Sequence, residues 1–216
     1  MSEDARGSSR LHVVLLLSTL AVFSWSGVRP VDRPTWTLEV APVVIALVLL
    51  TATYRRFRWS DLCYGLIWFH AIILMVGGHW TYAKMPLFNW LRDAFHLQRN
   101  HYDRVGHLVQ GIVPVIVVRE LLLRTSPLRC GHWLFALCVM STLGCSALFE
   151  LFEWLVAIIL EQGADQYLAT QGDPWDTQWD MFLALVGAIG SLLVFGRWHD
   201  RGIAKVESAA TRAGIR

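Results

Sequence analysis

Apolar runs close to twenty residues long recur six times along this chain, at 11–28, 36–54, 62–82, 105–123, 132–160 and 179–195. A hydrocarbon core about 30 Å thick is crossed by roughly 20 helical residues, so each run predicts a spanning helix. The pattern therefore predicts an all-α, polytopic membrane bundle of six transmembrane helices. The run over 132–160 exceeds what a bilayer needs, which predicts a strong tilt or a projecting end. Sizeable polar loops are expected only at 83–102 and 161–178. With no repeat or second domain evident, residues 1–216 read as one membrane domain ending in a basic tail, 196–216.

Charge placement then orients the bundle. Six crossings put the amino end, the second and fourth loops and the tail on one side, where twelve basic residues fall: Arg6, Arg10, Arg55, Arg56, Arg58, Arg124, Arg129, Arg197, Arg201, Lys205, Arg212 and Arg216. The opposite side holds six: Arg29, Arg33, Lys84, Arg92, Arg99 and Arg104. By the positive-inside rule both termini are expected in the cytoplasm. The first run has the outline of a secretory signal, with Arg10 ahead of it and Ser24-Trp25-Ser26 near its end. Acidic Glu3 and Asp4 before it and a bulky tryptophan in the cleavage position favour an uncleaved helix.

Composition sharpens the class. Hydrophobic residues make up 55% and charged residues 17%, too apolar for an ordinary soluble domain, and a net charge of +2 gives no global field for nucleic acid. Cys63, Cys130, Cys138 and Cys145 form no CxxC pair and sit in or beside apolar runs, so they are expected to pack as small hydrophobes.

Against that background the ionisable residues inside the runs stand out, since each costs about 2.5–3.5 kcal/mol at a helix centre on insertion scales. Asp103 and His107 are spaced i,i+4, Glu150 and Glu153 i,i+3, and Asp176 and Asp180 i,i+4, so each pair shares a helix face. Topology puts all six at the outer leaflet, with Glu39 and His79 at the same level and Gln110 a turn deeper than His107. Asp103, His107, Glu150, Glu153, Asp176 and Asp180 are thus the candidate ligands of a divalent cation, around a cavity open to the periplasm. Small residues (Ala184, Gly187, Ala188 and Gly190 in the last run, Gly144, Ser146 and Ala147 in the fifth) predict close helix packing beside them.

Plainer readings compete. Asp173 at N-cap, Pro174 at N1 and Asp176 at N3 make a helix start, and Asp103 has the position of a cap. Arg104 has acids nearby to pair with. Arg119 is expected to snorkel, and Glu120 to pair with cytoplasmic basic loops. His70 and His132 read as structural, and His101 as an exposed loop residue.

The stretches DRVGHLVQG (103–111), RELLLR (119–124), ELFEW (150–154) and TQGDPWDTQWDM (170–181) resemble the YjdF family of bacterial inner-membrane proteins, which brings no established activity. More faintly, Asp103, His107, Glu150, Asp176 and Asp180 match the acid and histidine pattern of VanZ-like membrane proteins. That likeness implies a shared scaffold acting at the envelope, associated in some members with glycopeptide tolerance. Glu153 and the tryptophan-rich 170–181 segment depart from it.

The expected protein is an integral inner-membrane protein whose carboxylates and histidine hold a divalent cation or a lipid phosphate headgroup, with membrane lipid or a lipid-linked phosphate as partner. No HExxH or CxxC arrangement identifies a standard metalloenzyme, and no reaction is named. The alternatives are a proton-coupled carrier working through Glu150 or Glu153, which an oligomer would help to complete, and a structural network that docks an envelope partner.

Overall fold

The computed structural model describes residues 3–160 and 170–212, and among them every regular element is a helix. In chain order these are α1 (Glu3–Ser26), α2 (Arg33–Thr53), α3 (Asp61–Trp80), α4 (Pro86–Ala94), α5 (Tyr102–Thr125), α6 (His132–Leu160) and α7 (Asp176–Arg212). All but α4 are long and apolar enough to cross a membrane, one for each of the six apolar runs. Of the expected 161–178 loop, residues 161–169 lie outside the described residues, as does the end of the basic tail, 213–216.

Local chemistry sets the helix limits. Asp32 caps α2 by accepting the Thr35 N–H at 2.8 Å, with Pro34 in the first turn, where its missing donor costs nothing. Ser60 caps α3. At the far end of α3, Thr81 and Tyr82 take left-handed backbone angles (φ 54° and 49°) and turn the chain sharply toward α4. Nine residues is too short for a spanning pattern, which is why α4 is invisible as an apolar run. It starts at Pro86 and leaves Leu87 and Trp90 exposed.

The last helix corrects two expectations. It begins at Asp176, so Asp173 is not its N-cap; Asp173 instead accepts the Trp175 N–H at 3.0 Å and closes the turn before the helix. It also runs 37 residues, about 55 Å, well past the expected 179–195. Residues 196–212 continue the same rod instead of forming a separate tail, because Leu192, His199 and Ile203 recur on one buried face and no proline interrupts them.

Half of the apolar window of α5 is buried, more than in any other candidate span. Its closest partner is α7. A Cβ on Gly111 would strike the backbone carbonyl of Ala184, and one on Gly187 would strike that of Leu108, so the two backbones touch where only glycine fits. Ala184 and Ala188 are fully buried beside them, and Ser191 Oγ donates across to the Ile112 carbonyl at 2.8 Å. By contrast, Gly144 and Gly190 face open space. α6 packs on both α5 and α7, and α3 on α5. α1 and α2 each lean on α3. The bundle thus has an acidic end, where α5 and α7 begin, and a basic end, where α1, α3 and α6 begin.

Candidate functional site

At the acidic end, three connections assemble the site. His101 precedes the first turn of α5, which leaves Asp103 inside that turn and a full turn from His107. Asn100, fully buried, exchanges two hydrogen bonds with Gln171: its N–H donates to Gln171 Oε1 and its carbonyl accepts from Gln171 Nε2, both at 2.9 Å. This clasp joins the segment before α5 to the segment before α7. It fixes Arg99 between acids from both.

Arg99 hydrogen-bonds Asp176 and lies 3.5 Å from Asp173 and 3.6 Å from Asp103. Burial opposes its charge, yet Asp176 first and then Asp103 and Asp180 hold the guanidinium above its ordinary range. Arg104 bonds Asp173 at 2.6 Å and lies over the Trp179 ring, 5.4 Å from its centroid. The expected pairing of Arg104 with a neighbouring acid is therefore made.

Behind this arginine layer sits the histidine. His107 Nε2 lies 3.6 Å from Asp103 Oδ1 and 3.9 Å from Asp180 Oδ2, and Nδ1 lies 3.5 Å from Glu150 Oε1. One ligand atom from each of Asp103, His107 and Asp180 falls within 4.8 Å of the others. His107 Nδ1, Glu150 Oε1 and Asp180 Oδ1 are all buried without a hydrogen-bond partner, as is Ser146 Oγ one turn before Glu150. Buried polar atoms are ordinarily paired, because leaving one bare costs about 1–3 kcal/mol.

The six expected residues do not share one role. Asp103, His107, Glu150 and Asp180 converge. Asp176 is taken up by Arg99. Glu153 is buried on α6 with Glu39 of α2 among its nearest charges, along with His107 and Glu150. Glu39 is thus part of the cluster, with the Tyr82 phenol directed at it. Burial, and then the Glu39 charge, push that phenol well above its ordinary range and keep it a donor. His79 is elsewhere: its Nδ1 meets the Ser26 carbonyl at 2.9 Å and its ring stacks on Trp25, tying α3 to α1.

A second polar cluster, at the basic end, overturns the expectation for Arg119, while Glu120 makes its expected pairing with a basic residue of that end, Arg124. Glu120 is fully buried and accepts from Ser60 N–H (2.9 Å), Ser60 Oγ (2.6 Å) and Arg124 (2.7 Å). Cys63 Sγ (3.1 Å) and His199 Nε2 (3.0 Å) complete its shell. Arg119 does not snorkel; it bonds His199 Nδ1 at 3.1 Å and Asp200 at 2.6 Å. The signal was hidden because the partners His199 and Asp200 lie beyond the last apolar run. Although Cys63, Glu120 and His199 have the spacing of a metal triad, the hydrogen bonds argue against one. A guanidinium can only donate, so Nδ1 accepts, Nε2 carries the proton, and that proton goes to Glu120. No lone pair on Nε2 is left for an ion.

Residues 11–201 match the family described as "Predicted membrane protein (DUF2238)". The chain is 45% identical over 192 residues to the protein named "Inner membrane protein YjdF" of Escherichia coli (strain K12), an overlap covering 87% of this chain and 92% of that protein. No solved structure matches. On six apolar helices and a match running almost end to end, the chain is a multi-pass inner-membrane protein and belongs to the DUF2238 family that includes YjdF.

Proposed function

We propose that Asp103, His107, Glu150 and Asp180 bind a hard divalent cation at the periplasmic leaflet and, through it, the phosphate of a lipid or lipid-linked headgroup. The observation that carries this reading is the approach of Asp103 Oδ1 and Asp180 Oδ2 to His107 Nε2, with ligand atoms of the three residues within 4.8 Å of one another and His107 Nδ1, Glu150 Oε1 and Asp180 Oδ1 buried without a hydrogen bond. Charge supports it. Among the described residues of the cluster, Asp103, Asp173, Asp176, Asp180, Glu150, Glu153 and Glu39 are opposed by Arg99, Arg104 and His107, and a cation would offset the excess of carboxylates. Oxygen-rich ligands suit Mg²⁺, Ca²⁺ or Mn²⁺, while the imidazole also admits Zn²⁺. Bound there, a cation would polarise a phosphoryl oxygen. Arg99 and Arg104, which pair with Asp176 and Asp173 beside the cluster, would hold the remaining phosphate charge. The periplasmic assignment rests on the twelve basic residues at the opposite end against six at this one.

Elemental analysis of the protein purified in mild detergent, repeated for Asp103→Asn and Asp180→Asn, tests the proposal. The expected result is a near-stoichiometric divalent metal that falls at least tenfold in both variants. Absence of bound metal after chelator-free preparation and after incubation with each of the four ions would refute it. Variants that only lower the melting temperature would mark the cluster as a structural network.

Glu39 and Glu153 favour one second reading, a proton-coupled carrier, because they extend the acids from α5 to α2 and α6. Proton-coupled flux in proteoliposomes, lost in Glu153→Gln, is its test.

A further inference from the structure

A cavity of about 490 Å³ runs between α1 and α2 over the face of α3, away from the acidic cluster. Its walls are Val13, Leu16, Val43, Leu47, Leu50 and Ile67, with Ala46 and Ala71 leaving room between them. It exists because the first two helices lean mainly on α3 and meet each other at their ends, through Phe23 and Ser26 on Trp36 and His12 on Tyr54, and because only 6% of the apolar window of α1 is buried. From Val43 to Tyr54 it is about 16 Å long at 1.5 Å per residue, close to half of a hydrocarbon core about 30 Å thick. That is the depth of one leaflet.

The end of the groove at the basic face is polar. His12 Nδ1 meets the Tyr54 hydroxyl and Nε2 meets Asp61 Oδ1, both at 2.9 Å, so α1, α2 and α3 are laced together there. The Tyr64 side chain is buried to 9% exposure against the His12 ring. Its hydroxyl proton has no acceptor, since the Trp59 backbone N–H directed at it can only donate. Arg58 lies over the Tyr54 ring, 5.5 Å from its centroid, with Nη2 also bare of hydrogen bonds. Arg55 and Arg56 are exposed on the same turn.

The geometry points to a phospholipid site: one acyl chain lies in the α1–α2 groove, and its phosphate accepts from Arg58 and the Tyr64 hydroxyl. An apolar slot one leaflet deep suits a single chain, and its volume lies in the range of ordinary ligand pockets. The cationic, donor-rich mouth is complementary to an anionic head, and two buried donors lack any other acceptor.

Native mass spectrometry of the full-length protein, stripped of lipid in detergent and offered phosphatidylglycerol or phosphatidylethanolamine of defined chain length, tests this. One phospholipid per chain should survive gentle activation, with phosphatidylglycerol held more firmly. Ala46→Trp, which fills the slot, should cut retention at least tenfold. Tyr64→Phe, which removes a hydroxyl whose proton is bonded to nothing, should keep the wild-type melting temperature while weakening retention severalfold. Arg58→Ala should erase the preference for phosphatidylglycerol, whereas Arg55→Ala should not. Failure of the wild type to retain lipid, equal retention by Tyr64→Phe and wild type, or a protein dimer whose formation Ala46→Trp blocks in place of lipid binding would each overturn the inference.

Discussion

Glu120 and His199, 79 positions apart in the chain, meet at 3.0 Å with neither side chain exposed. His199 sits in none of the stretches that carry the family resemblance, and the pair joins α5 to the second half of α7. Removing one partner of a buried charged network leaves the other uncompensated, at a cost of about 3–5 kcal/mol. Glu120→Ala should therefore give a marked fall in melting temperature, while bound metal at the acidic end stays at the wild-type level. A Glu120→Ala protein as stable as wild type would show that this network does not hold the basic end together.

Gly111→Ala and Gly187→Ala should each destabilise by about 1–3 kcal/mol, the range for overpacked cores, because a methyl at either position runs into backbone that cannot turn aside. Gly144→Ala and Gly190→Ala meet open space. These should be neutral or stabilising by up to about 1 kcal/mol through helix propensity. Thermal unfolding of the four variants in one detergent makes the comparison, and a uniform response would contradict the close α5–α7 contact.

The six spans were legible in the sequence because apolar length alone decides them in a bilayer. The meeting of Asp103, His107, Glu150 and Asp180 was legible too, since alternating helix direction brings the start of one helix beside the end of the next. Arg99 was not, because a loop arginine reads only as a topological charge until the Asn100–Gln171 clasp places it. Glu39 had the right level but no spacing partner on its own helix. The contacts of Arg119 and Glu120 with His199 and Asp200 stayed hidden for a different reason: polar helix beyond the lipid looks the same in sequence as a solvated tail.

Arg99 makes a distinct prediction. Arg99→Ala leaves Asp176 without its hydrogen-bonded cation, whereas Arg104→Ala removes a pair that is less buried, about a fifth exposed on each side. The first should destabilise several times more than the second. Arg99→Lys should rescue only part, since a single ammonium cannot reach Asp103, Asp173 and Asp176 in a planar fork. Equal melting temperatures for Arg99→Ala and Arg104→Ala would remove Arg99 from the organising role described above.

His101 carries a pH dependence whose sign is fixed by its neighbours. Burial first, and then Arg104 and Arg99, hold its imidazole below the ordinary value of 6.5. The unfolded chain then takes up the proton before the folded one does, so the contribution is present above pH 6.5 and is lost as pH falls toward and through the lowered folded value. Melting curves from pH 7 down to about pH 5 should show His101→Gln losing less stability than wild type over that window. Parallel curves would show that His101 is not held among those guanidiniums.

Orientation is open to a direct check, since Cys130 is exposed at the basic end. With both termini inside, a membrane-impermeant maleimide should reach Cys130 in inverted vesicles and not in intact spheroplasts. Gln98→Cys, in a Cys130→Ser background, should behave in the opposite way. Labelling of both from the same side would reverse the assignment of the acidic site to the periplasm or break the six-span count.

Asp180 and His199 stand on one unbroken rod, about 28 Å apart along its axis. A rod has no hinge in which to absorb a twist. An event that turned α7 by a few degrees at Asp180 would drag His199 across Glu120 at the opposite membrane surface, and the backbone contact at Gly111 and Gly187 would be its fulcrum.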